Sequence, residues 1–396
     1  SPDGNEVLFV SERGDHSFIG VYNLLRKSIR WIAPDVTNDD FPVWSPDGKQ
    51  IAFIRTPGTK VGELSNLTGG VKFSIYVADA QSGMAKPIWK SPAEDGGFAQ
   101  YYVNTPLAWL PSGRVLFFSE HNGWNHIYSI TETGNDLKDI TPGDGEVESF
   151  VADATGKFIY FDGNRTDINR RHIWKADVTV GNPTEVTSGE GIEMYPTLAG
   201  NVLYAFRATS NTSKTLVRVD EASKATVQVN SQKLPTFSTA AFVKPEPVLL
   251  KAADGTSLHA QLFINRTISN KRPGLVFMHG GPIRQMLLGF HYSDYYINCY
   301  AFNQYMASQG YAVLSVNFRS GTGYGRDFRR AKNQGPRGAS EYQDVVAAAK
   351  YLQALPEVDA SKIGLWGGSY GGDFKGKGFG GDPGNFKNGV EVDGGA

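Results

Sequence analysis

The stretch that decides the fold of this chain reads Gly364-Leu365-Trp366-Gly367-Gly368-Ser369-Tyr370-Gly371-Gly372. It contains the pattern Gly-x-Ser-x-Gly with Ser369 at its centre, and an apolar run leads into it. This pattern is typical of a nucleophile elbow, a sharp strand-to-helix turn that strains the serine backbone and requires small flanking residues. A serine hydroxyl needs a base to accept its proton before it can attack a carbonyl carbon. The sequence therefore predicts Ser369 as a nucleophile.

The residues before this stretch alternate between strand and helix patterns. A hairpin is predicted over residues 248–264, with its turn at Asp254-Gly255. The predicted buried strands are 275–278, 311–318 and 362–366, and the predicted helices are 295–309 and 340–355. Strands that alternate with helices indicate a parallel sheet covered by helices. Functional residues of such sheets lie at the carboxyl ends of the strands.

A second glycine-rich segment, His279-Gly280-Gly281-Pro282, directly follows a predicted strand. Acyl transfer at a serine needs hydrogen-bond donors for the oxyanion that develops on the substrate. We expect one donor to be the backbone N–H of Tyr370 and the other to come from this loop, at His279 and Gly280. His279 precedes Ser369, whereas the base of this fold follows the serine, so we expect His279 to shape the loop.

The first 240 residues repeat a turn followed by a strand. In the copy Ser45-Pro46-Asp47-Gly48, proline presets its φ, aspartate bonds back to the backbone and glycine accepts a positive φ. Five copies recur at a period near 44 residues, with an insertion expected around residues 56–71. Several short strands at this period are typical of a β-propeller.

The composition limits the classes of function. The chain has 396 residues and a net charge of −1, which predicts two domains and gives no basis for binding nucleic acid. No apolar run reaches the length of a membrane span. Cys299 is the only cysteine, so an intrachain disulfide is excluded, and we expect a buried apolar role for it. The four histidines before residue 240 are scattered, and no cofactor or metal site is predicted.

The predicted fold class is an incomplete β-propeller, with about five blades visible, followed by an incomplete α/β-hydrolase domain. We place the propeller at residues 1–242 and the N-terminal part of the hydrolase domain at residues 243–396. The break between them is the segment Val243-Lys244-Pro245-Glu246-Pro247. Because Ser1 begins in the middle of a repeat unit, we expect residues that precede it.

Four motifs in one order make a resemblance specific. The last 150 residues resemble the hydrolase domain of the prolyl oligopeptidase family of serine peptidases, nearest its dipeptidyl peptidase IV and acylaminoacyl-peptidase branches. The propeller fits the same family. The segments that carry the resemblance begin at Asp254-Gly255-Thr256, His279-Gly280-Gly281, Arg319-Ser320-Gly321 and Gly367-Gly368-Ser369.

The resemblance implies cleavage of short peptides through an acyl-enzyme on Ser369, with the propeller screening substrates. Dipeptidyl peptidase IV members carry a tyrosine where His279 stands, so backbone donors are implied for this chain. We find no clear Glu-Glu pair of the kind that anchors a substrate amine in dipeptidyl peptidases. All seven histidines precede Ser369, so the aspartate and histidine of the triad are expected beyond Ala396.

Two alternatives to a peptidase stay open at this point. One is an esterase of the α/β-hydrolase fold, which the propeller argues against. The other is a propeller scaffold with a catalytically dead hydrolase domain. Residues 373–384 hold five glycines and a proline where a helix should follow the elbow, and strand-like residues follow at 386–395. A homodimer is the assembly that we consider for this chain.

Overall fold

The computed structural model describes residues 1–58, 72–92, 105–229, 241–335, 340–372 and 388–391. The chain packs into two compact units. The first comprises Ser1–Gly163, Ile173–Val186 and Tyr195–Leu203, and the second comprises Asn164–His172, Thr187–Met194 and Tyr204–Ala396.

The repeat region is built from short antiparallel strands. In the described residues they are β1 (Glu6–Glu12), β2 (Ser17–Asn23), β3 (Ser28–Ile32), β4 (Thr37–Trp44), β5 (Gln50–Pro57), β6 (Ser74–Asp79), β7 (Ala85–Lys90), β8 (Leu107–Trp109), β9 (Arg114–Ser119), β10 (His126–Thr131), β11 (Lys138–Asp139), β12 (Val147–Ala152), β13 (Phe158–Gly163), β14 (His172–Asp177), β15 (Gly181–Glu185), β16 (Ile192–Ala199), β17 (Val202–Ala208), β18 (Thr215–Val219) and β19 (Thr226–Gln228).

These strands form blades in chain order. Strands β8 to β11, β12 to β15 and β16 to β19 make three four-stranded sheets. Strands β1 to β3 and β4 to β7 make two further sets, which a parallel bridge between Ser17 and Asn38 joins into one sheet. In the four sets that begin with β4, β8, β12 and β16, the repeated turn lies between the first and second strands, and the copy at Ser1–Gly4 precedes β1. The prediction of a propeller with five visible blades is confirmed.

The repeated turn folds as its residues dictate. The Gly48 N–H donates to the Ser45 carbonyl at 2.9 Å, and the Asp47 carboxylate accepts the Lys49 N–H at 3.1 Å. Gly48 has a φ of +71°. Part of the insertion predicted at 56–71, residues 59–71, lies outside the described residues.

The rest of the chain forms a mixed sheet with helices. Its elements are β20 (Glu246–Lys251), β21 (Ser257–Phe263), β22 (Arg272–Met278), α1 (Asp294–Ser308), β23 (Ala312–Val316), α2 (Arg326–Arg329), α3 (Ser340–Ala354), β24 (Val358–Gly367) and β25 (Asn388–Glu391). The strand order is β20-β21-β23-β22-β24-β25. The β20–β21 hairpin is antiparallel, and β23, β22, β24 and β25 run parallel to one another.

One apolar core lies under this sheet. The α3 residues Val345, Ala349 and Leu352 are fully buried and belong to the same cluster as Val276 and Leu365 of the sheet. Their spacing along the helix is the helical period seen in the sequence, so it marks the face that packs on the sheet. The helix begins at Ser340, as predicted. The predicted α/β-hydrolase class is confirmed.

The segment after the elbow divides into two parts. The glycine-rich residues 373–384, where the sequence argues against a helix, lie outside the described residues. The strand predicted within 386–395 is present as β25, which pairs in parallel with β24.

Candidate active site

Two loops of the site start at neighbouring positions of the sheet. Strands β22 and β24 pair in parallel, and Met278 at the end of β22 lies opposite Gly367 at the end of β24. The loop of His279 and the elbow of Ser369 therefore leave the same edge of the sheet. This edge holds the carboxyl ends of the strands, where sites of such sheets form.

Ser369 has the backbone of a nucleophile elbow. Its φ is +53°, in the left-handed region that a residue with a side chain rarely adopts. The chain turns at Ser369 into helical residues 370–372, and the Gly372 N–H donates to the Ser369 carbonyl at 2.7 Å. The side chain of Ser369 is exposed. Strain of this kind costs about 1–3 kcal/mol and persists where the surroundings enforce it.

The two glycines of the Gly-x-Ser-x-Gly pattern are explained by close backbone approach. A Cβ added to either Gly367 or Gly371 would collide with the carbonyl oxygen of Met278. At Gly371 it would also lie 2.8 Å from the carbonyl oxygen of His279. The end of β22 thus packs against both flanks of the serine, and a side chain at either flank would separate the two loops.

Gly280 brings the second loop against the nucleophile. A Cβ at Gly280 would lie 3.2 Å from Ser369 Cβ and 3.0 Å from the Gly368 carbonyl oxygen. The Gly280 N–H donates to the Tyr296 hydroxyl at 3.0 Å, and that hydroxyl lies 3.2 Å from the Gly280 carbonyl oxygen, to which it donates. Tyr296 lies on α1 and is buried, and burial raises its pKa to about 12.

His279 is a buried ring in the loop. Its side chain is fully buried and stacks on Phe318 with ring centroids 4.2 Å apart. Its Nδ1 donates to the Gly280 carbonyl at 3.1 Å, and Nε2 has no hydrogen-bond partner among the residues that the structure describes. Burial, with a smaller contribution from the charge of Arg284, lowers the pKa of His279 to about 4. These contacts support the expected role of His279 in shaping the loop.

Tyr370 is anchored through its side chain. The residue is buried, and its hydroxyl donates to Oε1 of Glu341 at 2.8 Å. Its N–H belongs to the first residue of the helical turn after Ser369, which is the place predicted for an oxyanion donor.

The motif that begins at Arg319 forms the loop after β23. The Arg319 guanidinium contacts Asp344 of α3 at 2.7 Å and also pairs with Asp254, which belongs to the turn of the β20–β21 hairpin. The hydrogen bond from Arg319 holds the pKa of Asp254 at about 2. Two of the motifs that carry the family resemblance are therefore joined by one ion pair.

Sequence reasoning missed two residues of this site. Tyr296 is one of several aromatic residues in α1, and Glu341 is one of several charged residues at the start of α3. Both reach the site through contacts between residues far apart in the sequence. No local pattern distinguishes them. Glu341 lies three residues before Asp344, the partner of Arg319, and therefore shares a helix face with it.

The described residues were also considered as possible metal ligands and membrane-spanning helices, and they form neither. Across the part of the chain that the structure describes, no three His, Cys, Asp or Glu residues are grouped so as to hold a metal ion. None of the described helices has the length and apolarity of a membrane span. Cys299 is buried, as expected.

Together these features define a class: propeller blades followed by an α/β-hydrolase sheet that carries a serine on a strained elbow. Two family models match the chain. The model described as "Prolyl oligopeptidase family" matches residues 299–395, and the model described as "Dipeptidyl peptidase IV (DPP IV) N-terminal region" matches residues 71–217. The two matches lie on different parts of the chain, and both relate it to the prolyl oligopeptidase family.

Relatives cover both parts of the chain. A probable dipeptidyl peptidase 4 of Emericella nidulans is 28% identical over 340 residues, which is 80% of this chain and 42% of that protein. Acylamino-acid-releasing enzyme 1 of Oryza sativa is 24% identical over 365 residues, which is 90% of this chain and 42% of that protein. The chain thus spans less than half the length of these relatives.

A solved structure shows the same fold. The puromycin-hydrolyzing peptidase of Mycobacterium tuberculosis matches with a TM-score of 0.79 and 18% identity. The match covers 99% of this chain and 60% of that one.

Proposed function

We propose that this chain is part of a serine peptidase that hydrolyses amide bonds of short peptides through an acyl-enzyme on Ser369. The observation that carries the proposal is the exposed Ser369 at a φ of +53°, between two glycines packed against the end of β22. Backbone strain at an exposed serine is retained where function needs it. The domain division at residues 242 and 243 is part of the proposal.

The reaction follows from what each group can do. Ser369 Oγ attacks the substrate carbonyl carbon, a base takes its proton, and the carbonyl oxygen becomes an oxyanion. The Tyr370 N–H and a donor of the His279–Pro282 loop would stabilise that oxyanion. The Gly280 N–H already donates to Tyr296, so it would serve only after substrate displaces the Tyr296 hydroxyl. When the intermediate collapses, the amide C–N bond breaks, the protonated base gives its proton to the leaving amine, and water then hydrolyses the remaining acyl-enzyme.

His279 is not suited to be the base. It is fully buried with a pKa lowered to about 4, so it would poorly accept a proton from an exposed hydroxyl. In the chain order of this fold, the aspartate and histidine of the triad follow the serine.

The substrate class rests on the relatives. The names of two relatives describe a dipeptidyl peptidase and an enzyme that releases acylamino acids. We therefore propose short peptides as substrates.

The test uses the intact protein expressed from its complete gene. A fluorophosphonate probe should label wild-type protein, and Ser369→Ala should abolish labelling and lower kcat on an aminoacyl-nitroanilide by about 10⁴-fold or more. The matched control is Ser361→Ala, an exposed serine in the same strand β24, which should leave both unchanged.

Two results would contradict the proposal. Wild-type protein that the probe does not label would support a dead hydrolase on a propeller scaffold. Labelled protein that hydrolyses nitrophenyl acyl esters but no aminoacyl-nitroanilide would support an esterase.

A further inference from the structure

Glu341 is a fully buried carboxylate at the start of α3. Its Oε1 accepts hydrogen bonds from the Tyr370 hydroxyl at 2.8 Å, the Ser320 hydroxyl at 2.8 Å and the Gly335 N–H at 3.0 Å. Its Oε2 accepts the Ser340 hydroxyl at 2.8 Å. A buried carboxylate is costly unless donors surround it, so this set of four donors makes Glu341 a fixed acceptor.

One of these donors belongs to the nucleophile elbow. Tyr370 follows Ser369 directly, and its N–H is the proposed oxyanion donor. The side chain of Tyr370 is held at its far end by Glu341, and its ring lies over Phe318 with centroids 6.2 Å apart. The residue is therefore fixed from its hydroxyl back to its backbone.

The same helix end also fixes the neighbouring loop. Asp344, one turn after Glu341, accepts the Arg319 N–H and contacts the Arg319 guanidinium. Residues three apart on a helix share a face, so one face of α3 holds the loop after β23 through Asp344 and the elbow after β24 through Glu341.

We propose that Glu341 is a positioning residue for catalysis, which holds the Tyr370 N–H in place for the developing oxyanion through the hydrogen bond from the Tyr370 hydroxyl. This inference rests on the proposed function. A donor to an oxyanion acts only when it is already in place in the transition state, and a displacement of about 1 Å can cost 10²-fold in rate. The Ser369 backbone is strained, so the residue after it needs such an anchor.

The experiment compares Tyr370→Phe and Glu341→Gln in the intact protein. We measure kcat and KM on an aminoacyl-nitroanilide, and the inhibition constant of a peptide boronate, which forms a tetrahedral adduct with the serine. Each variant should lose about tenfold in kcat, the range expected for one hydrogen bond to a charged group, with KM within about twofold. Boronate affinity should fall in parallel with kcat. The double variant should be no slower than the slower single variant, because both changes act on the same bond: Tyr370→Phe removes it, and Glu341→Gln removes the charge of its acceptor.

Ser320→Ala is the matched control. It removes another hydrogen bond to the same Oε1 atom and leaves Tyr370 untouched. Its kcat should stay within about twofold of wild type, while its thermal unfolding reports what the loss of one donor to Glu341 does to stability.

Several outcomes would overturn the inference. Tyr370→Phe with wild-type kcat and boronate affinity does so, even if Glu341→Gln is slow, because Glu341 would then act through its other donors. Equal losses in Ser320→Ala and Tyr370→Phe would indicate a structural role only. If Glu341→Gln does not fold, Tyr370→Phe decides alone. Wild-type protein without probe labelling removes the proposed function and this inference together, whereas labelled wild type beside an unchanged Tyr370→Phe removes this inference only.

Discussion

The turns of the blades and the elbow of the hydrolase sheet both depend on glycine, for different physical reasons. Gly113, in the turn before β9, has a φ of +85°, and a Cβ placed on it would meet no atom within 4 Å. Gly371 lies outside the left-handed region, but a Cβ on it would collide with the Met278 carbonyl oxygen. The first glycine is required by its own backbone conformation, and the second by a neighbouring strand.

This difference determines whether the requirement for glycine can be inferred from the sequence. The turn residues around Gly113 specify their conformation locally, so the repeat is visible in the sequence. The requirement at Gly371 arises because the parallel sheet places the end of β22 beside the end of β24. In the sequence it becomes visible only through the Gly-x-Ser-x-Gly pattern.

We expect the largest effect on stability and on labelling for Gly371→Ala. The added methyl group meets backbone atoms of Met278 and His279, which cannot rotate away as a side chain can. We expect a loss of about 3 kcal/mol in the free energy of unfolding, the upper range for overpacking, and loss of fluorophosphonate labelling at Ser369. Urea unfolding followed by tryptophan fluorescence measures the first, and gel fluorescence of the probe the second.

A stable and fully labelled Gly371→Ala protein would show that the elbow tolerates a wider gap between β22 and β24. The requirement for glycine would then lie elsewhere than in close approach.

Buried histidines in the two regions differ in their hydrogen-bond partners. In the blades, His126 lies 2.8 Å from the Asp139 carboxylate. In the hydrolase region, the described hydrogen bonds of the His279 and His291 rings are to backbone groups. Burial, together with smaller contributions from nearby arginine charges, lowers the pKa of His279 to about 4 and that of His291 to about 3.

We therefore expect stability to fall between pH 6.5 and pH 4. In this window the two histidines, with pKa values near 6.5 in the unfolded chain, bind more protons there than in the folded chain, so their contribution to the free energy of unfolding decreases as pH falls. Each of the two histidines contributes about 1.4 kcal/mol per pH unit. Unfolding midpoints in urea at several pH values measure this slope.

The matched variant is His291→Gln, which keeps a donor near the Gln285 carbonyl and removes one titrating group. It should lose about half of the slope. Equal stability of the wild-type protein at pH 7 and pH 5 would mean that these histidines are not buried as neutral groups.

Sequence reasoning recovered what local patterns encode. The turn of Asp47 and Gly48, the helical face of α3 and the elbow of Ser369 each have their cause within a few residues. It missed Tyr296 and Glu341 because their roles depend on which loops the sheet brings together. It predicted Gly280 as part of the oxyanion loop, but it could not show that Gly280 lies against Ser369 with its N–H donating to Tyr296.

The smallest expected effect is at Gly113, and this position tests the distinction between the two kinds of glycine most directly. Alanine there has room for its methyl group, so its cost is that of the left-handed backbone, about 1 kcal/mol. Alanine also lowers the entropy of the unfolded chain, which offsets part of that cost. Gly113→Asn should cost less than Gly113→Ala, since asparagine tolerates this conformation better, although its side chain is larger. The free energy of unfolding from urea titration orders the variants. A cost at Gly113→Ala as large as at Gly371→Ala would remove the distinction between the two kinds of glycine, because open space and backbone contact would then have the same consequence.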